Sequence, residues 1–417
     1  SGGDINRKCL NLHNGINITN EFLQAVKDDS DWRLIDPKTK EAVKTINARE
    51  LWWQLIYARA ETGEPYLINI DNCNDALPQG QKDLGLEIKQ SNLCSEITLP
   101  TDEERTAVCC LSSVNLEHYD EWSKDDYFIK DLITMLDNVL QHFIENAIDT
   151  SQLGEYNANF KRFKGYVKDG KEGFTKAAYS AYRERSLGLG AMGFHAYLQS
   201  NGIPFEGIQA TGFNYQAFKY IKNKAKKASK ELADIRGEAP DVSGSGMRNA
   251  NLLAVAPNAS SSIICAGTSP SIEPYRANVF THKTLSGSYQ VKNKYLEKVL
   301  RSKGLKGEEL ENTWKDIAGN NGSVQHLSEL DETEKELFKT ANEINQVWVI
   351  EHAYKRQEFV CQSQSVMQYV NDVHWYGMHK LKSLYYFRSD AARAAENVNV
   401  KVPRIKLDDV ECIACEG

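Results

Sequence analysis

The sequence of 417 residues predicts an α/β protein with parallel strands. Stretches with apolar residues at helical spacing dominate the chain, and short apolar runs of strand length lie between them. The composition, 41% hydrophobic and 26% charged, is that of an ordinary globular protein. Because this alternation packs helices against a parallel sheet, the loops that follow strands are expected to carry any functional site.

The helical spacing is clearest in two segments. Residues 128–149 and 217–235 each place their apolar side chains on one face, and the lysines of the second segment lie mostly on its opposite face. Similar spacing predicts helices over 46–61, 180–201, 331–357 and 364–381. Buried strands are predicted over 66–70 and 252–256.

Charge and cysteine usage exclude several classes of protein. The formal net charge is −7 and no long basic stripe occurs, so nucleic acid is not an expected partner. No run is apolar enough for a membrane helix and no signal-peptide pattern opens the chain, which predicts a soluble cytoplasmic protein. The nine cysteines do not form a secreted disulfide framework, and Cys9, Cys73, Cys265 and Cys361 are expected to be small buried hydrophobes.

The segment 90–100, QSNLCSEITLP, carries the most informative combination of side chains. In an extended strand alternate residues share a face, so Asn92, Cys94 and Glu96 would line one wall of a pocket. The amide can bind a hydroxyl group, the carboxylate can take its proton, and the thiol can act as a nucleophile or a sulfur radical. The alternative interpretation is an edge strand with alternating polar residues.

A glycine pattern at 188–193, GLGAMG, fits the dinucleotide-binding fingerprint GxGxxG and raises the alternative of a nicotinamide-dependent dehydrogenase. The residues before it, 182–186, are not an apolar strand. The pattern also lies inside a predicted helix, so the structural context of that motif is missing. We therefore interpret these glycines as sites of close helix packing.

The end of the chain, from about residue 396, predicts a flexible acidic tail. Its Cys412-x-x-Cys415 pair is compatible with half a zinc site, a redox dithiol or a thiol shuttle. A zinc site needs further ligands, but no second CxxC exists, and His374 and His379 are five residues apart, on different helix faces. We therefore expect no metal.

Five segments in order resemble one family. The first, at 62–66, 71–74 and 91–96, is similar to the surroundings of the radical cysteine in the large subunit of class I ribonucleotide reductase, bacterial or phage type. Residues 107–116, 252–262, 382–388 and the tail match in the same order. The resemblance implies that residues 1–400 are the C-terminal part of a ten-stranded α/β barrel with a finger loop near 90–100, and that 401–417 are a redox-active tail.

The resemblance also implies a role for each matched residue. Cys94 would be the radical residue, with Asn92 and Glu96 binding and deprotonating ribose hydroxyls, and Cys109 would reduce the substrate. An alignment slip of one residue would exchange Cys109 with Cys110, although Cys110, on the opposite face of a strand, is expected to be a packed thiol.

The remaining roles concern phosphate binding, radical transfer and reduction. The diphosphate would bind at the turn formed by Pro257, Asn258, Ala259, Ser260 and Ser261, whose residues are also compatible with a plain helix cap. Tyr385 and Tyr386, which would otherwise be packing aromatics, would relay the radical. Cys412 and Cys415 would re-reduce the active-site disulfide by thiol exchange.

The implied activity is reduction of ribonucleoside diphosphates to deoxyribonucleotides for DNA synthesis. No cofactor would bind directly, because a metal-containing small subunit would supply the radical, and thioredoxin or glutaredoxin would supply electrons. We expect the N-terminal half of the barrel, and the second redox cysteine with it, to come from a separate polypeptide or to have been removed. A half barrel leaves strand edges uncovered, so the isolated chain should need that half. The alternative is an incomplete fragment that binds only nucleotide or the small subunit. If the gene is of phage origin, the site of action would be the host cytoplasm.

Overall fold

The computed structural model describes residues 12–147, 175–284, 287–368 and 374–388. The strands in these ranges are β1 Gly15–Ile18, β2 Asp31–Ile35, β3 Ala42–Asn47, β4 Tyr66–Asn69, β5 Cys110–Asn115, β6 Leu187–Met192, β7 Val279–Thr284, β8 Gly287–Lys292 and β9 Ser383–Leu384. The helices are α1 Asn20–Asp28, α2 Ala48–Thr62, α3 Ile70–Asp75, α4 Gln79–Asp83, α5 Tyr119–Trp122, α6 Phe128–Asn146, α7 Lys176–Glu184, α8 Phe194–Ser200, α9 Ile208–Arg236, α10 Ala259–Ile264, α11 Lys294–Ser302, α12 Gly307–Gly319, α13 Glu332–Leu337, α14 Gln346–Gln357 and α15 His374–Lys380.

A row of hydrogen-bonded extended segments forms the centre of the molecule. Strand β5 pairs in parallel with β6, and β6 bonds to the segment 251–254. That segment leads into Val255, which forms a parallel bridge with Gln364, and Val366 then accepts a bond from Tyr385 beside β9. Strand β9 pairs antiparallel with β4, which pairs in parallel with β1. The mixed α/β class is thus confirmed, and the described strands form an open row and no closed barrel.

Amphipathic helices cover this row, as the apolar spacing predicts. Helix α6 buries Ile129, Ile133, Leu136, Leu140 and Ile144 against the core and packs on α9, which in turn packs on α14. The predicted helices over 128–149, 217–235 and 46–61 are therefore confirmed, with α9 beginning nine residues earlier than predicted. None of the described helices combines the length and apolar character needed to cross a bilayer.

The predicted helix over 180–201 is wrong in its middle. The chain forms α7, then the buried strand β6, then α8. The first two glycines of the GxGxxG pattern, Gly188 and Gly190, lie inside this strand and do not pack helices: a Cβ atom at Gly190 would lie 2.6 Å from the carbonyl oxygen of Ala254, and one at Gly188 would lie 2.5 Å from Leu111. Gly188 and Gly190 allow the neighbouring segments to approach β6, whereas the fingerprint requires its first glycines in the turn after a strand. Gly193 does follow β6 and caps α8 with a positive φ of 78°, but the side chains of Asn115 and Thr268 fill the space beside it.

Two other predicted helices are interrupted. The stretch 331–357 forms α13 and α14 with an irregular connection, in which Asn345 caps α14 by accepting from the amide of Val347. In 364–381 only α15 is helical among the described residues, because Gln364–Gln368 is extended and bridges to Val255 and Phe387. Sheet pairing therefore overrides helical spacing in this segment.

Candidate active site

The segment around Cys94 is a tight turn and not the predicted strand. The amide of Ser95 donates to the carbonyl oxygen of Asn92 at 3.1 Å, and the amide of Ile97 donates to the Asn92 side-chain oxygen at 3.0 Å. Ser95 adopts a positive φ of 64° at the reversal, which an extended strand does not contain. Asn92 therefore lies exposed at the tip of a loop, Cys94 is half-buried, and Glu96 is buried.

Glu96 is held at the base of this loop by the extended segment 362–365. The amide of Ser363 donates to the carbonyl oxygen of Glu96 at 2.9 Å, and the Ser365 hydroxyl lies 3.4 Å from the Glu96 carboxylate. Burial raises the pKa of Glu96, while hydrogen bonds from the side chains of Asn92 and Ser365 oppose that rise. A carboxyl group in this environment is suited to exchange a proton with a bound hydroxyl group.

Tyr385 connects β9 to the thiol of Cys94. Its backbone amide donates to the carbonyl oxygen of Val366, which fixes the residue beside the 362–366 segment. Its hydroxyl group lies 3.7 Å from the Cys94 sulfur. Burial and the neighbouring thiol raise the pKa of Tyr385, so the phenol remains protonated. A neutral phenol in contact with a thiol is the arrangement that hydrogen-atom exchange between them requires.

Tyr386 continues this contact outward. The rings of Tyr385 and Tyr386 have centroids 4.6 Å apart, and the ring of Tyr66 in β4 lies 5.0 Å from the first and 5.1 Å from the second. Tyr386 is partly exposed, whereas Tyr385 and Tyr66 are buried. Sequence reasoning assigns no role to Tyr66, although this residue belongs to the segment 62–66 that carries the resemblance.

The two adjacent cysteines face different surroundings. The Cys109 sulfur accepts a hydrogen bond from Gln362 at 3.4 Å and packs with Ile97, Leu99 and Ala254. Cys110, the first residue of β5, packs instead against the main core. Burial raises the pKa of Cys109, which keeps its thiol protonated. The side chain of Gln362 also accepts a hydrogen bond from the amide of Thr98 at 3.2 Å, so it links Cys109 to the segment that carries Glu96. Cys109, and not Cys110, therefore lies on the side of Glu96.

The small-residue turn begins directly after the buried segment that bridges to Gln364. Asn258 has a positive φ of 51° and precedes α10, and its side-chain amide donates to the carbonyl oxygens of Ala256 and Ala191. Ala259, Ser260 and Ser261 are exposed in the first turn of α10, while Pro257 is half-buried. The Asn258 side chain makes no cap to the helix, so it is not the plain helix cap considered above.

Cys361 is the exception to the expected inert thiols. Its sulfur accepts hydrogen bonds from the Lys222 ammonium at 3.2 Å and from the amides of Leu252 and Leu253 at 3.2 and 3.3 Å. Burial alone would raise the pKa of Cys361, but these donors lower it to about 7. The contact anchors the segment 251–255 to α9. Cys73 is buried as expected, Cys265 is only half-buried, contrary to the expectation, and Cys9 lies outside the described residues.

The structure therefore brings Asn92, Cys94, Glu96, Cys109 and Tyr385 together around the segment 362–365, with Tyr386 one ring further out. Pro257–Ser261 follow the neighbouring strand segment. Cys412 and Cys415 lie outside the described residues. Within the ranges that the structure describes, no three His, Cys, Asp or Glu side chains are grouped so that they could hold a metal ion.

Comparison with known proteins agrees with this geometry. The sequence profile of the family described as "Ribonucleotide reductase, barrel domain" matches residues 2–245 and 238–388, which together span most of the chain. The chain belongs to the ribonucleotide reductase large-subunit family. Cys94 and the phenol of Tyr385 beside it both lie in the residues that match this barrel domain.

Similar proteins include viral large subunits of ribonucleotide reductase. The ribonucleoside-diphosphate reductase large subunit of Invertebrate iridescent virus 3 is 39% identical, with all of this chain and 73% of the viral protein covered. The putative large subunit of Frog virus 3 is 42% identical, with all of this chain and 71% of that protein covered. The solved alpha subunit of the Actinobacillus ureae class Id ribonucleotide reductase superposes with a TM-score of 0.75 at 36% identity, over 90% of this chain and 65% of that one.

Proposed function

We propose that this ribonucleotide reductase chain carries the radical and acid–base chemistry that converts ribonucleoside diphosphates to deoxyribonucleoside diphosphates. The contact between the Tyr385 hydroxyl and the Cys94 sulfur, 3.7 Å long, carries the proposal. It joins an oxidisable phenol to a thiol whose loop also holds the buried carboxyl group of Glu96. Hydride transfer in a dinucleotide-dependent dehydrogenase does not need such a pair, and the first two glycines of the pattern that suggested one, Gly188 and Gly190, lie inside β6.

The proposed reaction begins at the tyrosine pair. A metal-containing small subunit would supply the oxidising equivalent, which passes from Tyr386 to Tyr385 by hydrogen-atom exchange. Tyr385 then takes the hydrogen atom of the Cys94 thiol, and the resulting thiyl radical removes the 3′ hydrogen of the ribose. Glu96 accepts the proton of the 3′ hydroxyl group, and Asn92 binds a ribose hydroxyl.

Reduction at C2′ requires two electrons and releases one molecule of water. Cys109 would provide one thiol, and the raised pKa of Cys109 keeps it in the protonated form that donates hydrogen. The other thiol, and the remaining part of the barrel, would come from the length of the relatives that this chain does not span, on the same or a separate polypeptide. The resulting disulfide would be reduced through Cys412 and Cys415 by thioredoxin or glutaredoxin.

Substrate binding is assigned to the turn before α10. The exposed first-turn residues Ala259, Ser260 and Ser261, with Pro257 and Asn258, would bind the diphosphate through backbone amides and hydroxyl groups. This turn follows the segment that bridges to Gln364, so a diphosphate there would place the ribose toward Cys94 and Glu96.

The test is reduction of a radiolabelled ribonucleoside diphosphate by a large subunit completed with the remaining part of the barrel and mixed with the small subunit. Cys94→Ser and Cys109→Ser should each abolish turnover, whereas Cys110→Ser should retain most of it. Loss of turnover in Cys110→Ser but not in Cys109→Ser would exchange the two roles. Nucleotide binding without turnover in every combination would contradict the proposal and favour the binding fragment.

A further inference from the structure

The outer tyrosine of the pair lies against a histidine and a carboxylate that the proposed reaction has not used. The Tyr386 hydroxyl lies 3.3 Å from His13 Nδ1, and the Tyr66 hydroxyl lies 3.4 Å from the same nitrogen. His13 Nδ1 is also hydrogen-bonded to the carboxylate of Glu64. One imidazole nitrogen is thus in contact with two phenols and one carboxylate.

The backbone holds this cluster in place. The amide of Tyr66 donates to the carbonyl oxygen of Asn14 at 2.8 Å, which fixes the segment carrying His13 against β4. The amide of Asn14 lies 3.4 Å from the other Glu64 carboxylate oxygen. The amide of Phe387 donates to the carbonyl oxygen of Gly63 at 3.1 Å, so the turn carrying Glu64 is bonded to the chain just after Tyr386.

Fold stability does not account for the pair of His13 and Glu64. Their side chains are 39% and 19% exposed, and a polar contact in such a position contributes little to the free energy of unfolding. Arg59 of α2, which interacts electrostatically with both Glu64 and Tyr66, already forms buried hydrogen bonds that tie α2 to Tyr385 and Gln368. The contact of His13 with the Tyr386 hydroxyl therefore indicates a chemical role for His13.

Oxidation of a phenol supplies that explanation. A tyrosine that loses an electron must release its phenolic proton at the same time, because the ordinary neutral phenol becomes a strong acid once oxidised. Tyr385 exchanges a hydrogen atom with Cys94 or Tyr386 and needs no base. Tyr386 is the first tyrosine to be oxidised from outside the chain, so its proton must go to an acceptor at the surface.

We propose that His13 and Glu64 form the proton acceptor of Tyr386 during radical entry, an inference that rests on the proposed function. The electron of Tyr386 passes to the oxidising radical of the partner subunit. As it leaves, His13 passes its Nδ1 proton to the Glu64 carboxylate and takes the phenolic proton. The products are a neutral tyrosyl radical at Tyr386 and a protonated Glu64, and the return of the electron reverses both transfers.

The groups that face His13 come from three elements. Glu64 lies in the turn after α2, Tyr66 is in β4, and Tyr386 follows β9. The ring of Tyr66 contacts the rings of Tyr385 and Tyr386, and its hydroxyl group contacts His13 Nδ1. Burial and the neighbouring Tyr386 raise the pKa of Tyr66, so this hydroxyl group stays protonated. Tyr66 therefore orients the imidazole, while Glu64 is the group that can receive the proton.

The first test measures oxidation of position 386 without relying on ribonucleotide reduction. In the full chain carrying Tyr386→3-aminotyrosine, which is easier to oxidise than tyrosine, a mild photo-oxidant in solution generates the radical at that position. We expect radical formation to be at least about tenfold slower with His13→Gln or Glu64→Gln, a smaller effect than the roughly 10²–10⁴-fold typical of a general base, because water has access to this site. Glu64→Asp should restore most of the rate.

The matched control is His118→Gln. His118 is also an exposed histidine beside a glutamate, Glu121 at 3.5 Å, and lies in a 3-10 helix outside the tyrosine cluster. Equal radical formation in His13→Gln, His118→Gln and the parent chain would overturn the inference. In the completed enzyme with Tyr386 restored, turnover should fall in the same order as radical formation. If no combination turns over while the rate difference at position 386 persists, the proposed function fails and the proton acceptor stands.

Discussion

Replacing Gly190 by alanine tests whether the glycines of β6 set the spacing of the active-site segments. The new Cβ atom would lie 2.6 Å from the carbonyl oxygen of Ala254, and real Cβ contacts essentially never fall below 3.0 Å. The segment 251–255 would therefore have to move away from β6 by about 0.4 Å, the difference between these two distances. The obstacle is backbone, so no side-chain rotation can relieve it.

The cost follows from the contacts that this movement breaks. The hydrogen bond from the Ala254 amide to the Leu189 carbonyl oxygen is already 3.3 Å long, and a further 0.4 Å takes it beyond hydrogen-bonding distance. Its loss costs about 0.5–1.5 kcal/mol, and overpacking in a buried strand costs about 1–3 kcal/mol. We expect Gly190→Ala to lower the free energy of unfolding by about 2–4 kcal/mol.

Urea unfolding followed by circular dichroism measures this change, with Gly212→Ala as the control. Gly212 lies in the exposed interior of α9 with no atom within 4 Å of an added Cβ, so alanine there should stabilise the chain by up to about 1 kcal/mol. In the completed enzyme, Gly190→Ala should also raise KM for the diphosphate, since the displaced segment leads into Pro257–Ser261. Equal stability of the two variants would refute the assignment of Gly190 to close strand packing.

Two further predictions concern the buried carboxyl groups. Ser365→Ala removes a hydrogen bond that opposes the rise in the pKa of Glu96, so the pKa of Glu96 should rise further. Turnover near neutral pH should then fall about tenfold, and the acidic limb of the pH–rate profile should move to higher pH. An unmoved limb would count against Glu96 as the base. Burial and the nearby Asp241 raise the pKa of Glu184 from 4.5 to about 8, so between these pH values the folded chain binds the proton that the unfolded chain has lost. The free energy of unfolding should therefore fall by about 1.4 kcal/mol for each pH unit through that window. Urea unfolding at several pH values should show a flatter pH dependence for Glu184→Gln but not for Glu332→Gln, whose side chain is 91% exposed.

The loop around Cys94 shows where periodicity fails to describe the backbone. The sequence predicts that Asn92, Cys94 and Glu96 share one face of a strand, whereas the three residues lie on a turn, with Asn92 exposed at its tip and Glu96 buried. Hydrogen bonds from Ser95 and Ile97 back to Asn92 close that turn. Alternating polar residues fit a strand and a tight loop equally well, because periodicity does not report which bonds the backbone makes.

Strand β6 shows how tertiary packing overrides local spacing. Its residues 187–192 continue the apolar pattern of α7, which favoured one long helix. Two glycines in that stretch weaken a helix, and they also permit the neighbouring segments on either side of β6 to approach. The close approach depends on Leu111 and Ala254, which are distant in sequence. The residues next to the glycines therefore cannot predict it.

The same limit explains why the segment 362–365 was missed, although it organises the site. Gln362 contacts Cys109 and the amide of Thr98, and Ser365 contacts Glu96 and the backbone of Cys94. These partners precede it by more than 250 residues, and its own sequence, QSQS, matches no chemical motif. Because one short extended segment contacts both the Cys94 loop and Cys109, a displacement of this segment would alter both of the proposed steps together. Sequence motifs can identify the groups that react, but the residues that keep those groups in register are determined by the pairing of distant strands.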